Sequence, residues 1–336
     1  MKFFRKLLFP FSLLYILVTS IRNWFYDIGI FKSYSFDIPI IAVGNLSTGG
    51  TGKTPQIEYL IRLLSKNHKT AVLSRGYKRK STGFVLANEF ATVETLGDEP
   101  FQYYKKFKNI QVAVDSNRVN GINQLLNLSD KPQVILLDDA FQHRRVRAKY
   151  YILLTTFDDL YCDDYVLPMG NLRECIKGAN RANFIVVTKS PKNLSVEKQN
   201  EIEKKLKLNT NQKLFFSTIN YDKIAFSKKS SILTTELLEL PKLIIAGIAK
   251  PETFIKFVKN SNDEVLIFPD HHDFSVADIL EMQKKSKDKI IVTTEKDFVR
   301  LDEKLFNGNL FYLRIQTKFL KNKDDFDDLI LNFLKK

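Results

Sequence analysis

Short apolar, β-branched runs alternate with helical patterns along most of the chain. Residues 38–43, 70–74, 112–114, 134–138, 151–155 and 184–188 read as strands, and 54–67 and 118–128 read as helices between them. Strands that alternate with helices in this way predict a doubly wound, mainly parallel α/β sheet. A polar stretch at 221–239, with Lys228, Lys229, Ser230 and Ser231 at its centre, interrupts the rhythm. The alternation then restarts as strand 243–248, helix 251–259, strand 265–268, helix 275–287 and strand 290–293, which predicts a second, smaller α/β domain. At the end, Phe326, Leu329, Ile330, Phe333 and Leu334 give residues 324–336 the period of an amphipathic helix able to return to the first domain. The expected organisation is an N-terminal helical region at 1–36, a phosphate-loop domain at 37–222, the smaller domain at 223–318 and the final helix within 319–336.

The N-terminal pattern is different. Lys2, Arg5 and Lys6 precede an apolar stretch from Leu7 to Val18 that Pro10 and Ser12 interrupt. Its uninterrupted length falls short of the ~20 residues that a transmembrane helix needs, and no small-x-small cleavage site follows it. From Leu13 onward, Leu13, Ile16, Leu17, Ile21 and Trp24 fall at helical spacing, with Arg22, Phe25 and Tyr26 close by. A basic, aromatic-flanked helix of this kind suits a lipid interface; the same spacing also suits a helix packed on the protein's own core.

Composition narrows the class. Hydrophobic residues make up 44% of the 336 and charged residues 27%, as in ordinary globular chains. Cys162 and Cys175 build no disulfide framework and no zinc-site spacing, which points to a reducing, cytosolic setting. A formal net charge of +14 calls for an anionic partner: nucleic acid, anionic lipid or a phosphorylated substrate. No run of five Lys/Arg and no DNA-binding pattern accompanies that charge, so nucleic acid is not expected.

The sharpest local signal is Ser47-Thr48-Gly49-Gly50-Thr51-Gly52-Lys53-Thr54, between the first strand and the first long helix. Strand, glycine turn and helix form the context of a P-loop. Its backbone N–H groups close on phosphate oxygens, Lys53 reaches the β/γ-phosphates, and the Thr54 hydroxyl binds Mg²⁺. Ser47 stands where the first glycine of that pattern is usual. At the end of the apolar run 134–137, Asp138 and Asp139 supply the acidic partner such a magnesium ion needs. Further polar groups follow strand ends, where open α/β sheets bind ligands: Arg75 and Tyr77, then Gln142 and His143. Asp98 and Glu99 open a helix, and by spacing alone Asp98 is either its N-cap or a reacting carboxylate.

These segments together resemble the tetraacyldisaccharide 4'-kinase family of lipid A synthesis. The resemblance runs through Val43-Gly44-Asn45-Leu46 into the P-loop, Ser74-Arg75-Gly76-Tyr77, Gly97-Asp98-Glu99-Pro100 and Asp115-Ser116-Asn117-Arg118. It continues through Asp138-Asp139-Ala140-Phe141-Gln142-His143, Gly170-Asn171-Leu172-Arg173-Glu174, Phe268-Pro269-Asp270-His271-His272 and Thr294-Glu295-Lys296-Asp297. Ala140 takes the place of a more usual glycine. The resemblance implies transfer of the ATP γ-phosphate to the 4'-hydroxyl of a tetraacylated disaccharide 1-phosphate, with Mg²⁺, by a monomer at the cytoplasmic face of the inner membrane. It gives Asp98 the part of base, tuned by His271, and Lys53 that of phosphate ligand. Asp138, Asp139, Glu99, Glu174 and Thr54 would surround the metal. Arg118 would join the loop in binding ATP, and Arg75, Tyr77, Gln142, His143, Asn171 and Arg173 would meet the lipid substrate.

A P-loop switch protein is the competing class. Guanine selectivity asks for Asn-Lys-x-Asp, and Thr188-Lys189-Ser190-Pro191 lacks the aspartate. Partitioning ATPases carry a lysine where this chain has Thr48. Both features favour the kinase.

Overall fold

The computed structural model describes residues 5–287, 289–301 and 308–334; Lys2, in the expected basic start, and the last two residues lie outside them. At the centre stands β1 (Ile40–Asn45), parallel to β5 (Val134–Asp138) on one side and to β6 (Tyr150–Thr156) on the other. Beyond β5 come β2 (Thr70–Ser74), β4 (Ile110–Val114) and the short antiparallel β3 (Val85–Leu86). Beyond β6 come β7 (Phe184–Thr188) and the first half of β8 (Lys213–Phe226), both parallel. β1, β2, β5 and β7 are buried along their whole length, as strands covered by helices on both faces must be.

Alternation along each strand divides that burial between two layers. Ile41 and Val43 face Ile57, Leu60, Ile61 and Leu64 of the helix Lys53–Leu64, together with Tyr103 of the helix Asp98–Lys106. The same layer receives Phe326 and Ile330 from the C-terminal helix Lys323–Leu334. On the opposite face, Ile40 and Ala42 pack with Val119, Ile122 and Leu125 of the helix Arg118–Leu126.

The second half of β8 runs on past β7 and pairs antiparallel with β13 (Leu310–Phe319). β13 then leads into a parallel set of β12 (Ile290–Thr294), β10 (Lys242–Ala246) and β11 (Glu264–Ile267), while the short β9 (Ser231–Leu233) pairs with β8. The helices Glu252–Val258 and Val276–Ser286 cover the two faces of that set. The join at 222/223 thus falls inside one continuous strand, and all thirteen strands among the described residues belong to one sheet. β3, β8, β9 and β13 are the strands that the hydrophobic pattern did not announce. The far half of β8 and β13 carry Asp222, Lys223 and Arg314 among their apolar residues; the ladder between them joins the two strand sets, and Leu310, Phe311, Leu313 and Phe319 of β13 are buried.

The N-terminal helix Phe9–Asp27 sits with its polarity reversed. Ser12 and Thr19 are its buried residues, whereas Leu17 and Trp24 are each 55% exposed, and Phe9, Phe11, Leu13, Leu14, Val18 and Ile21 are exposed too. Hydrogen bonds fix the inward side. Ser12 Oγ donates to the Val166 carbonyl at 3.1 Å, and Asn23 Nδ2 donates to Glu174 at 2.8 Å. No helix among the described residues is long and apolar enough to cross a membrane.

Candidate active site

A glycine and a set of hydrogen bonds shape the loop after β1. Gly52, at φ +87°, closes it in the left-handed region where an L side chain is strained, and starts the helix whose first residue is Lys53. Thr188 Oγ1, from the end of β7, donates to the Thr51 carbonyl at 2.7 Å. The Thr48 N–H donates to the Asn171 carbonyl at 2.8 Å, and Ser47 bridges Leu172. Asn45 holds both ends, donating to the Ser47 carbonyl at 2.6 Å and accepting from Lys53 Nζ at 3.2 Å. Lys53 also lies 3.5 Å from Asp139. The Thr51 hydroxyl is buried with no partner among the described residues.

Asp138 and Asp139 end β5 beside this loop and differ sharply. Asp139, in the left-handed region at φ +46°, accepts from Arg173 Nη1 on both carboxylate oxygens at 3.1 Å, beside its contact with Lys53. Burial pushes its carboxyl up, but Lys53 and Arg173 overcome that and hold it below the usual carboxylate range. Asp138 is 5% exposed; its Oδ2 has only long contacts from the Ser74 and Tyr103 hydroxyls, both at 3.4 Å, and its Oδ1 has no partner among the described residues. Burial first, then the neighbouring charges of Asp139 and Glu99, push Asp138 up to about 7. A buried carboxylate with an idle oxygen is a cost that a bound cation would remove.

Across the loop, the N-cap of the helix Asp98–Lys106 is Gly97, so Asp98 is not the cap. Its carboxylate, 8% exposed, points to the second α/β unit instead, where His271 Nδ1 lies 2.7 Å from Oδ2 and Arg300 Nη2 pairs with the same oxygen. Burial pushes Asp98 up, but hydrogen bonds from His271 and Arg300 more than offset it and hold the carboxyl well below its ordinary range. The two adjacent histidines separate cleanly: His272 turns away to Asp278 at 3.0 Å and stacks on Phe268. Tyr77 lays its ring edge-on to His271 at 5.7 Å and is otherwise exposed, as is Arg75.

A buried cluster fastens the other end of the Asp98 helix. Lys106 Nζ bridges Glu58 of the phosphate-loop helix at 2.8 Å and Glu295 of the second unit at 2.6 Å.

Several residues expected at the site are engaged otherwise. Glu174, expected at the metal, is fully buried and spends its charge on Arg181 at 2.7 Å, with Asn23 and Gln142 donating to it; it anchors the N-terminal helix. Arg118, expected at the nucleotide, is buried with its guanidinium on the carbonyls of Asp115 and Asp138. Gln142 and Asn171 brace the loop, Gln142 by donating to the Asn45 carbonyl at 2.9 Å, while the Asn171 side chain is held by Asp164 and Arg5. Glu99 faces Lys296 at 3.6 Å. His143 has a buried Nε2 without a partner among the described residues; burial, then Arg118, Arg145 and Arg75, push its pKa down to about 4. Arg300 was not singled out by sequence. Its signal was a basic residue four places after Lys296, at the end of a strand in a parallel sheet.

A glycine-closed loop between a central parallel strand and a helix, with a lysine and a strand-end aspartate beside it, defines a P-loop protein built to handle phosphate. The chain belongs to the tetraacyldisaccharide-1-P 4'-kinase family, whose model matches residues 4–335. A Flavobacterium johnsoniae protein named tetraacyldisaccharide 4'-kinase is 59% identical over 335 residues, covering 100% of this chain and 98% of the relative. A Bacteroides thetaiotaomicron protein of the same name is 42% identical over 355 residues, covering 98% and 93%. The crystal structure of LpxK from Aquifex aeolicus in complex with ATP superposes with a TM-score of 0.78 at 31% identity, covering 98% of this chain and 99% of that one.

Proposed function

We propose that the chain moves the γ-phosphate of ATP to the 4'-hydroxyl of a tetraacyldisaccharide 1-phosphate, giving the bisphosphorylated lipid A precursor. The observation that carries this reading is the meeting of Asp98 and His271 opposite the phosphate loop. A carboxylate aimed across a P-loop suits a kinase, because the acceptor hydroxyl must lose a proton as it attacks phosphorus. Lys53 and the loop N–H groups take the phosphates, and Asp98 takes the proton. Arg75, Tyr77 and His143 line the approach for the sugar phosphate, and Arg173 orders Asp139 beside it.

Mg²⁺ fits the same site through the idle Oδ1 of Asp138 and the Thr54 hydroxyl, with Asp139 and Glu99 contributing negative charge. When bound it would neutralise charge on the transferring phosphate. The N-terminal helix supports work at the inner-membrane surface, facing the cytoplasm. Its apolar side is exposed, with no covering partner among the described residues, while its polar side is tied to Val166, Arg173 and Glu174, at the rim of the site. The acceptor's acyl chains then remain in lipid while its sugar reaches Asp98. The net charge of +14 favours an anionic surface and an anionic substrate.

The test is incubation of the purified protein with γ-labelled ATP and a tetraacyldisaccharide 1-phosphate in detergent micelles. A labelled lipid with a second phosphate is the expected product. ATP hydrolysis that ignores the lipid and labels none of it identifies a switch-type ATPase and overturns the reading.

A further inference from the structure

Asp98 and His271 do not stand alone. The short segment after β12 brings two cations to them, and each reaches a different atom. Lys296 Nζ lies 2.9 Å from His271 Nε2, and Arg300 Nη2 pairs with Asp98 Oδ2 while lying 2.8 Å from His271 Nδ1. An ammonium and a guanidinium have only protons to give; the guanidinium proton nearest Nδ1 is taken by Asp98 Oδ2, which leaves Nε2, beside Lys296, as the ring atom that accepts. A neutral imidazole that accepts at Nε2 carries its proton on Nδ1, and the acceptor waiting there is Asp98 Oδ2 at 2.7 Å. The guanidinium gives its own proton to that same oxygen. Both donors therefore land on Oδ2, and Oδ1 receives no hydrogen bond from the described residues.

The segment that carries these cations is itself fixed. Asp297 is fully buried, accepts the Gly247 N–H at 2.9 Å and the Thr294 hydroxyl at 2.8 Å, and so locks the start of the turn. Glu295, one residue before Lys296, takes Lys106 at 2.6 Å. The helix Asp98–Lys106 is thus gripped at both ends by residues 295–300: at Lys106 by Glu295 and at Asp98 by Arg300.

The geometry points to Lys296 and Arg300 as positioning residues of the transfer. Lys296 fixes His271 as the Nδ1–H tautomer; Nδ1–H and Arg300 together occupy Asp98 Oδ2 and leave Oδ1 to accept the proton of the sugar hydroxyl. His271 then orients Asp98 and does not receive the proton itself. The inference rests on the reading of Asp98 as base, and its test separates the two.

The full-length protein, with its four histidines labelled with ¹⁵N, gives two-bond ¹H–¹⁵N spectra that report which ring nitrogen of each holds the proton. Wild-type His271 is expected as Nδ1–H, and Lys296→Met is expected to admit the Nε2–H form. In steady-state kinetics, Lys296→Met and Arg300→Gln should each lower kcat roughly tenfold to a hundredfold, the usual cost of losing an orienting partner, with the KM for ATP changed less than about twofold. Lys296→Arg and Arg300→Lys, which keep a donor in place, should recover most of the rate. An Nε2–H signal for His271 in the wild-type protein overturns the proposal without any variant having to fold. So does a Lys296→Met protein that keeps the Nδ1–H pattern and full kcat. Undiminished kcat in Asp98→Ala instead overturns the base reading, while the tautomer measurement stands on its own.

Discussion

Asp98 and Asp138 are both buried carboxylates at strand or helix ends beside the phosphate loop, and their surroundings push them in opposite directions. Asp98 meets two donors from the second α/β unit and stays ionised far below the ordinary range. Asp138 receives only long contacts from hydroxyls, and burial together with the neighbouring acids outweighs Lys53 and Arg118 and pushes it up to about 7. One carboxylate is complete within the protein, and the other is short of positive charge. The first suits a group that must be held in place for an acceptor, and the second a group that awaits a cation arriving with the nucleotide.

The comparison can be broken in several ways. The largest expected effect is on the Asp138 side of the loop: Lys53→Ala should lower lipid phosphorylation at saturating ATP by about a hundredfold to a thousandfold, since it removes a fixed positive charge from the transferring group. Circular dichroism should show an unchanged fold, and near-normal turnover would contradict the phosphate-site assignment. Next comes a contrast in stability. Asp98→Asn should destabilise the ligand-free protein by about 3 kcal/mol, because Arg300 is left without its buried counter-charge. Asp138→Asn should leave the ligand-free protein as stable or more so, because it removes an uncompensated buried charge, and yet depress activity. Urea unfolding of the three proteins without nucleotide decides this; equal losses from both substitutions would erase the distinction.

The N-terminal helix offers a smaller effect with a definite sign. Deleting residues 1–21 should raise the apparent KM for lipid far more than that for ATP, and should weaken liposome flotation. A truncated protein that no longer folds would make the helix part of the core. The smallest effect concerns His143, whose pKa in the folded protein is pushed down to about 4, below that of the unfolded chain. Such a group costs nothing at neutral pH, and its cost grows as pH falls from about 6.5 toward 4, where the unfolded chain binds the proton more readily. His143→Gln should therefore lose less stability than the wild type between those pH values. Parallel melting curves across that range would contradict the shift.

Much of this site was legible in the chain because its parts sit at strand ends. The apolar runs at 70–74, 134–138 and 184–188 coincide with β2, β5 and β7, and the residues following them fall beside the loop. What the pattern did not disclose depends on long-range pairing. β13 buries Leu310, Phe311, Leu313 and Phe319 but intersperses them with Arg314, Gln316 and Lys318, and the far half of β8 is mostly half-exposed, so neither run stands out as a strand. The family resemblance set Glu174 at the metal, but its charge is spent on Arg181 and on an asparagine of the N-terminal helix, far off in sequence. That Asp98 does not cap its helix, and that His271 rather than His272 meets it, required the second unit to be seen against the first.

Asp98 and His271 are proposed to act as one unit on the acceptor hydroxyl. A double-substitution cycle on kcat, with Asp98→Ala, His271→Ala and both together, tests it most directly, with thermal melts correcting for folded fraction. Each single change should lower kcat with little effect on ATP affinity, Asp98→Ala by about a hundredfold or more. The double variant should lose little beyond the worse single one, because groups that work together are not lost twice. Losses that multiply in full would show two independent residues and contradict the claim.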